Sequence, residues 1–388
     1  MSSKATERRR VLVMVHMQAA HARNILVGIG DYAEQHSKWQ YQLEPHVHAG
    51  AIRRGNVDGM IVEARDPTVI RAIMESRIPI ITVGHTPLPD GPPAVVVDNV
   101  AVGRMGAEHL LTQGYRHLAF VPFDKAAASE QRAAGFAEGA RGKALSCDFC
   151  SESAIGNEPR LERWLKSLPQ PVGIMAANDR MSLEVALACR CAGLRIPEQV
   201  ALLGVDNESE ICRLSNPPLS SIDHGSRRIG FAAASLLDQW MSSHRRPADP
   251  PPIVPVGVIA RPSTDTLAVR DDDIVAAIQY IRAHVHEPTK VRDVMKAVQM
   301  SRRLLEIRFA AAVGRTVHQE IVRLRVERAK QLLLETDWSM AQISAACGIA
   351  LPSQFSYVFR RAVGMPPLQF RKKFNQAPRY ALCLRPDK

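Results

Sequence analysis

Three acid–amide pairs, Asp98-Asn99, Asn178-Asp179 and Asp206-Asn207, each follow directly on a short apolar run: Val95–Val97, Gly173–Ala177 and Leu202–Val205. Carboxylates accept hydrogen bonds and amides both donate and accept. Pairs of this kind gathered in one cleft suit a polyhydroxylated ligand, whose hydroxyls also do both. Arg132, in the helical stretch after the run Leu118–Val121, adds a guanidinium to the same set. The competing expectation is that these Asp and Asn residues only cap the helices that follow them. The chemistry expected is binding and not turnover: no G-x-S-x-G, phosphate-cradling P-loop, G-x-G-x-x-G or H-E-x-x-H occurs, so no catalytic residue is assigned.

Metal chemistry is not expected either. His46-x-His48 alternates as a strand would, and His284-x-His286 stands near a helix end beside Pro288, where a solvated or capping role fits better than ligation. Among seven cysteines, Cys147 and Cys150 form a C-x-x-C, but no second pair sits at zinc-site spacing. The expectation is reduced thiols, no metal and no cofactor.

To converge, the acid–amide pairs must sit at the ends of strands. Val11–Val15, Gly59–Val62, Ile78–Val83, Val95–Val97, Leu118–Val121, Gly173–Ala176 and Val200–Val205 are unbroken apolar runs, as strands covered on both faces should be. Between them lie helical patterns such as Val100–Gln113, Ser129–Arg141, Arg180–Ala192 and Arg228–Met241. Such alternation predicts parallel sheets in an α/β arrangement, and its restart after about Asp98 predicts two of them. Open parallel sheets bind ligands beyond the carboxyl ends of their strands, which is where the three pairs fall.

The remainder of the chain has another character. Pro247, Pro250, Pro251, Pro252, Pro255 and Pro262 break helix between His244 and Asp273, with Ile253–Ile259 a short strand among them. The domain division expected is 1–262 for the α/β part, 263–273 for a linker, 274–376 for a helical domain and 377–388 for a tail. Ile274, Ile278 and Ile281 share a helix face, as do Val322, Val326, Ala329 and Leu333. Leu305, Phe309, Val313 and Gly314 recur fifty residues later as Phe355, Phe359, Val363 and Gly364, each set after a short helical stretch and a turn. That is the pattern of a double helix-turn-helix, each second helix entering a major groove. Charge agrees: residues 1–272 hold 30 Lys+Arg and 30 Asp+Glu, whereas residues 273–388 hold 20 and 9. The excess of +11 therefore lies in the helical part, the footprint of a module that meets phosphate. No run of 18 uncharged apolar residues exists, so no membrane helix is expected. Arg8–Arg10 are followed only by Val11–Val15 before His16 interrupts, so no signal peptide is expected and the location expected is cytoplasmic.

Cys347-Gly348-Ile349, then Phe355-Ser356-Tyr357-Val358-Phe359-Arg360-Arg361 and Gly364-Met365-Pro366-Pro367-Leu368-Gln369-Phe370-Arg371, resemble the signature of AraC/XylS-type regulators. Ser301-Arg302-Arg303-Leu304-Leu305 with Phe309 resemble that family's first recognition helix. Gln299 stands in the first turn where the family has Gly, the residue suited to left-handed backbone. Residues 10–260 resemble the sugar-binding core of LacI-type repressors, through Val97-Asp98-Asn99, Arg132-Ala133-Ala134-Gly135-Phe136, Ala177-Asn178-Asp179-Arg180-Met181 and Gly204-Val205-Asp206-Asn207-Glu208. This likeness implies a two-lobed, periplasmic-binding-protein-like fold with Asp98, Arg132, Asn178, Asp179 and Asp206 lining the effector cleft. No LacI-type N-terminal headpiece is expected, since the first strand begins by Val11, and DNA binding is expected at the other end.

The order of sensor and DNA binder, with Arg23-to-Tyr32, Gly204-to-Glu208 and Leu219-Ser220-Ser221, is similar to that of xylose-operon regulators. That resemblance adds Arg23 to the cleft. It implies a monosaccharide effector, a pentose with D-xylose first, together with double-stranded operator DNA, RNA polymerase contact in activation, and a homodimer. The DNA-facing residues expected are Ser301, Arg302 and Arg303 in the first unit and Ser353, Gln354, Tyr357, Arg360 and Arg361 in the second. Two other readings stay open at this stage: a sugar-metabolising enzyme with an appended basic domain, and a solute receptor of the transport type.

Overall fold

The computed structural model describes residues 8–36, 39–44, 46–54, 56–84, 87–123, 127–151, 156–264, 271–336 and 338–374. The chain divides into two compact units, Met1–Arg270 and Asp271–Lys388. The expected tail, 377–388, lies outside the described residues.

The first unit has two lobes. The first lobe begins β1 (Arg10–Met14), α1 (Ala20–His36), β2 (Gln40–Glu44), α2 (Ala49–Arg54), β3 (Gly59–Val62), α3 (Pro67–Glu75), β4 (Ile80–Gly84) and β5 (Ala94–Val96). Its strands are parallel in the order β2-β1-β3-β4-β5. The central strands are buried on both faces, which is why they read as unbroken apolar runs. β2 is an exposed edge strand of mixed composition, and its Gln40–Glu44 sequence carries no such run.

The second lobe repeats the plan with α4 (Asn99–Thr112), β6 (His117–Val121), α5 (Ala127–Ala140), β7 (Ser146–Phe149), α6 (Glu158–Ser167), β8 (Val172–Ala176), α7 (Asp179–Cys191), β9 (Val200–Val205), α8 (Ser209–Leu214) and β10 (Ser220–Asp223). The chain then returns to the first lobe as α9 (Ser226–Ser243), which packs on α1 and against β3, β4 and β5. It comes back as β11 (Gly257–Ile259), completing a sheet of order β11-β10-β9-β8-β6-β7. β11 runs antiparallel to β10, so the purely parallel sheet expected here has one reversed edge. In each lobe two helices cross where glycine removes the obstacle. A Cβ on Gly28 or Gly230 would sit about 2 Å from a carbonyl oxygen across the α1–α9 contact, and the same holds for Gly103 and Gly135 across α4–α5.

Both ends of the expected linker 263–273 belong to folded structure. Ser263 is fully buried, accepting from Ser220 N at 2.8 Å and donating to Leu202 O at 2.6 Å, and Thr264 Oγ1 meets His109 Nε2 at 2.9 Å. Asp271 is the N-cap of the next helix. A polar sequence does not by itself mark a linker when its hydroxyls satisfy buried backbone groups.

The second unit is helical: α10 (Asp272–Ala283), α11 (Val291–Ala297), α12 (Arg302–Val313), α13 (Val317–Glu335), α14 (Met340–Ala346), α15 (Pro352–Val363) and α16 (Pro367–Phe374). The expected repeat is present as α11–α12 and α14–α15. Leu305, Phe309 and Val313 bury one face of α12, while Phe355 and Phe359 join Val326, Leu333, Ile343, Cys347 and Phe370 in the second core. Gln299 has φ 52° and Gly348 φ 64°, so both turns use left-handed backbone and the first makes it with a side chain present. In both, the residue after that position donates five residues back, Met300 N to Met295 O and Ile349 N to Ser344 O.

Candidate functional site

A cavity of about 590 Å³ opens between the two lobes of the first unit. Its wall is made by residues that follow the parallel strands and by the helices beside them. From the first lobe come His16, His21, Glu63, Arg65 and Thr82; from the second come Phe123, Ser129, Arg132, Asn178, Arg180, Asp206 and Glu208.

Glu63 follows β3 directly and is 1% exposed. Its Oε2 accepts from His16 N at 2.9 Å and its Oε1 from Arg65 Nη2 at 2.6 Å, and His21 Nε2 lies 3.1 Å from the same Oε1. Burial alone would raise its carboxyl, but hydrogen bonds from His16 and His21 and the charges of His21 and Arg65 hold it well below the ordinary range. Across the cleft, Asp206 follows β9 directly with φ 107°, a costly backbone for a residue with a Cβ. His224 Nδ1 lies 3.2 Å from its Oδ1. Burial pushes the Asp206 carboxyl above its ordinary range, with Arg132 pulling the other way. Arg132 is 4% exposed and aimed by two acceptors, Asn99 Oδ1 at 3.0 Å from Nε and the Ala177 carbonyl oxygen.

The six residues expected in the cleft divide into three kinds. Arg132, Asn178 and Asp206 line the cavity. Asn178 also caps α7 by accepting from Met181 N at 2.8 Å, so capping and cleft lining are not exclusive. Arg23 is half-exposed and lies outside the cavity wall. It donates to Met17 O and Gln18 O and pairs with Glu208 at 3.3 Å, joining α1 of one lobe to the second lobe. Asp98 and Asp179 do not line the cavity. Asp98 is the N-cap of α4, accepting from Ala101 N at 2.8 Å. Asp179 is fully buried and accepts from Ser221 Oγ at 2.6 Å, Glu208 N at 2.7 Å and Cys212 Sγ at 3.3 Å. Burial, reinforced by the charge of Asp206, pushes its carboxyl up to about 7 against those hydrogen bonds. It frames the loop that carries Asp206 and Glu208.

Glu63 and Arg65 were not anticipated, yet the rule that found Asn178 and Asp206 reaches Glu63. Glu63 is the first polar residue after the run Gly59–Val62. His21 and Arg65 have no comparable signal, because their place depends on α1 and on a loop folding back over Glu63.

The second unit presents a different surface. Arg302, Arg303, Ser353, Gln354, Tyr357, Arg360 and Arg361 are exposed on α12 and α15, and their side chains have no hydrogen-bond or ion-pair partner among the described residues. Ser301 is otherwise employed: it caps α12, accepting from Leu304 N at 3.4 Å. Arg308 is taken by Asp271, with Nε 2.7 Å from Oδ2. Glu320 is fully buried between Arg315 and Arg323 at 2.7 and 2.6 Å, and it fixes the junction after α12.

Comparison with known families matches residues 10–92 to the XylR N-terminal domain, 107–264 to a periplasmic binding protein-like domain and 294–373 to a helix-turn-helix domain. The chain is 30% identical over 379 residues to the xylose operon regulatory protein of Haemophilus influenzae, covering 93% of this chain and 98% of that one. It is also 30% identical over 382 residues to the protein of that name from Escherichia coli strain K12, covering 94% and 97%. A solved xylose-binding transcription activator, XylR, superposes with a TM-score of 0.62 at 28% identity, covering 95% of this chain and 99% of the other.

Proposed function

The chain belongs to the family of xylose operon regulatory proteins, and from that premise we propose that D-xylose is its effector and that the sugar-bound form activates transcription. It is a sugar-responsive, DNA-binding transcriptional regulator. The observation that carries the effector assignment is the cleft whose polar wall faces a ring of hydroxyls from both lobes. Arg132 and Arg65 offer donors, Asp206 and Glu208 offer acceptors, and Asn178 and Ser129 offer both. We read the cleft as a receptor site rather than a catalytic one, because the relatives that span the whole chain are transcription regulators.

A sugar touching both walls favours the arrangement of lobes in which both contacts are made, and it shifts that equilibrium by the difference in its affinities. Arg23 and Glu208 close the same mouth from opposite lobes. The reading further includes a cytoplasmic homodimer on operator DNA in contact with RNA polymerase. Its DNA contact is supported by the exposed Arg302, Arg303, Gln354, Arg360 and Arg361 of the two helix-turn-helix units, and by the positive charge gathered in residues 273–388.

Thermal unfolding against a panel of monosaccharides tests the assignment. A ligand at 100 times its Kd adds about 2.7 kcal/mol, which for a unit of this size is a rise of roughly 5–10 °C. D-Xylose is expected to produce it and D-glucose is not. A rise with another sugar and none with D-xylose overturns the effector. A rise with no sugar overturns the sugar reading.

A further inference from the structure

The two recognition helices are the same shape with opposite surfaces. Residues 301–310 and 351–360 share one burial pattern position for position: four exposed, one buried, then half-buried, exposed, half-buried, buried and exposed. This makes Leu304 the counterpart of Gln354, Ile307 of Tyr357, Ala310 of Arg360 and Ala311 of Arg361. On α15 these places hold an amide, a phenol and two guanidiniums. On α12 they form a wholly apolar stripe at helical spacing, with Leu304 46% and Ile307 58% exposed. Leu305 and Phe309 bury the opposite face of α12, so the stripe is not part of the core.

The stripe continues the surface begun by Arg302 and Arg303, which are exposed in the first turn of the same helix. Basic residues there meet phosphates or guanine edges, and the apolar positions follow along the groove. On B-DNA major-groove edges the apolar feature that distinguishes one base from the others is the C5-methyl of thymine. We propose that Ile307, flanked by Leu304 and Ala311, reads thymine methyl groups. The first unit then selects its bases by apolar contact, whereas the second selects by hydrogen bonding. This rests on the reading that both units bind DNA, and it adds what α12 recognises there.

The test uses the full chain and a duplex recovered by it from a random-sequence pool, in which thymines are replaced one at a time by deoxyuridine, removing only the methyl. The wild type is expected to lose about fourfold in affinity at one or two thymines of one half, the scale of one buried carbon group. Ile307→Ala is expected to bind the thymine duplex more weakly and to be indifferent to the same replacements, while Ile307→Val keeps the discrimination. Wild-type indifference to every replacement overturns the inference while leaving DNA binding intact. So does discrimination retained by Ile307→Ala. Unchanged DNA affinity in Ile307→Ala with lost activation assigns the stripe to a protein surface instead, and also overturns it. Failure of the wild type to recover any sequence is a different outcome, because it defeats the DNA reading itself.

Discussion

A Cβ placed on Gly348 would stand 2.0 Å from the carbonyl oxygen of Glu287, whereas the first turn carries a side chain, Gln299, on the same left-handed backbone. The glycine that the first unit lacks is thus demanded in the second by a neighbour as well as by φ.

Gly348→Ala is therefore expected to destabilise the DNA-binding unit by about 2–4 kcal/mol, from left-handed strain and overpacking together. Gln299→Gly is expected to change it by no more than about 1 kcal/mol. Urea unfolding of the 271–388 unit measures both. Equal effects at the two turns would contradict the role of Glu287.

Asp179 gives the sensor a pH signature. Its carboxyl, about 7 in the fold against 3.8 ordinarily, holds its proton more tightly folded than unfolded. As pH rises from about 4 through 7 the unfolded chain releases that proton first, so this group's contribution to stability declines across the window. Asp179→Asn removes the titration. The stability difference, variant minus wild type, should rise between about pH 4.5 and 7.5 and then level off, as followed by thermal unfolding. A difference that stays flat or falls would contradict it.

Much of this arrangement was legible in the residues. Buried parallel strands declare themselves as apolar runs, and the polar residue that ends each run points to the cleft, as Asn178 and Asp206 show. Edge strands were harder: β2 and β7 are half-wet, and their sequences alternate or mix. Asp98 and Asn178 look alike in sequence because an Asp or Asn at a strand end serves equally as cap or cleft residue, and only the lobe geometry separates them. Nothing local ties His21 to Glu63, and Arg65, though only two residues further on, carries no mark in the sequence that sets it in the cleft. The repeat of α12 and α15 was visible in their aromatic and aliphatic core positions, but the contrast between their outer faces needed the burial of every position.

The 271–388 unit alone is expected to bind DNA with affinity that falls by about 10³ or more between 50 and 200 mM salt, through release of counterions from phosphates. Gel shifts across that range check it. A flat series would remove the electrostatic footing of the DNA-binding reading.

Within α15, Gln354→Ala is expected to cost about 1–3 kcal/mol at one base position and little at others, since an amide pairs bidentately with adenine. Arg360→Ala and Arg361→Ala should weaken all site variants alike, as phosphate contacts do. A base-substitution scan separates the two. A uniform loss in Gln354→Ala would make Gln354 a backbone contact.

If D-xylose occupies the cleft lined by Arg132 and Asp206, calorimetric titration of D-xylose into wild type and Asp206→Ala, with operator binding measured alongside, will show it. Loss of a charge-assisted hydrogen bond of about 1.5–3 kcal/mol predicts a fall in sugar affinity of roughly tenfold or more, with operator affinity in the absence of sugar largely unchanged. Arg132→Ala should lose the sugar too, at some cost in stability, since the Ala177 carbonyl and Asn99 lose their donor. Unchanged D-xylose affinity in Asp206→Ala would contradict the account.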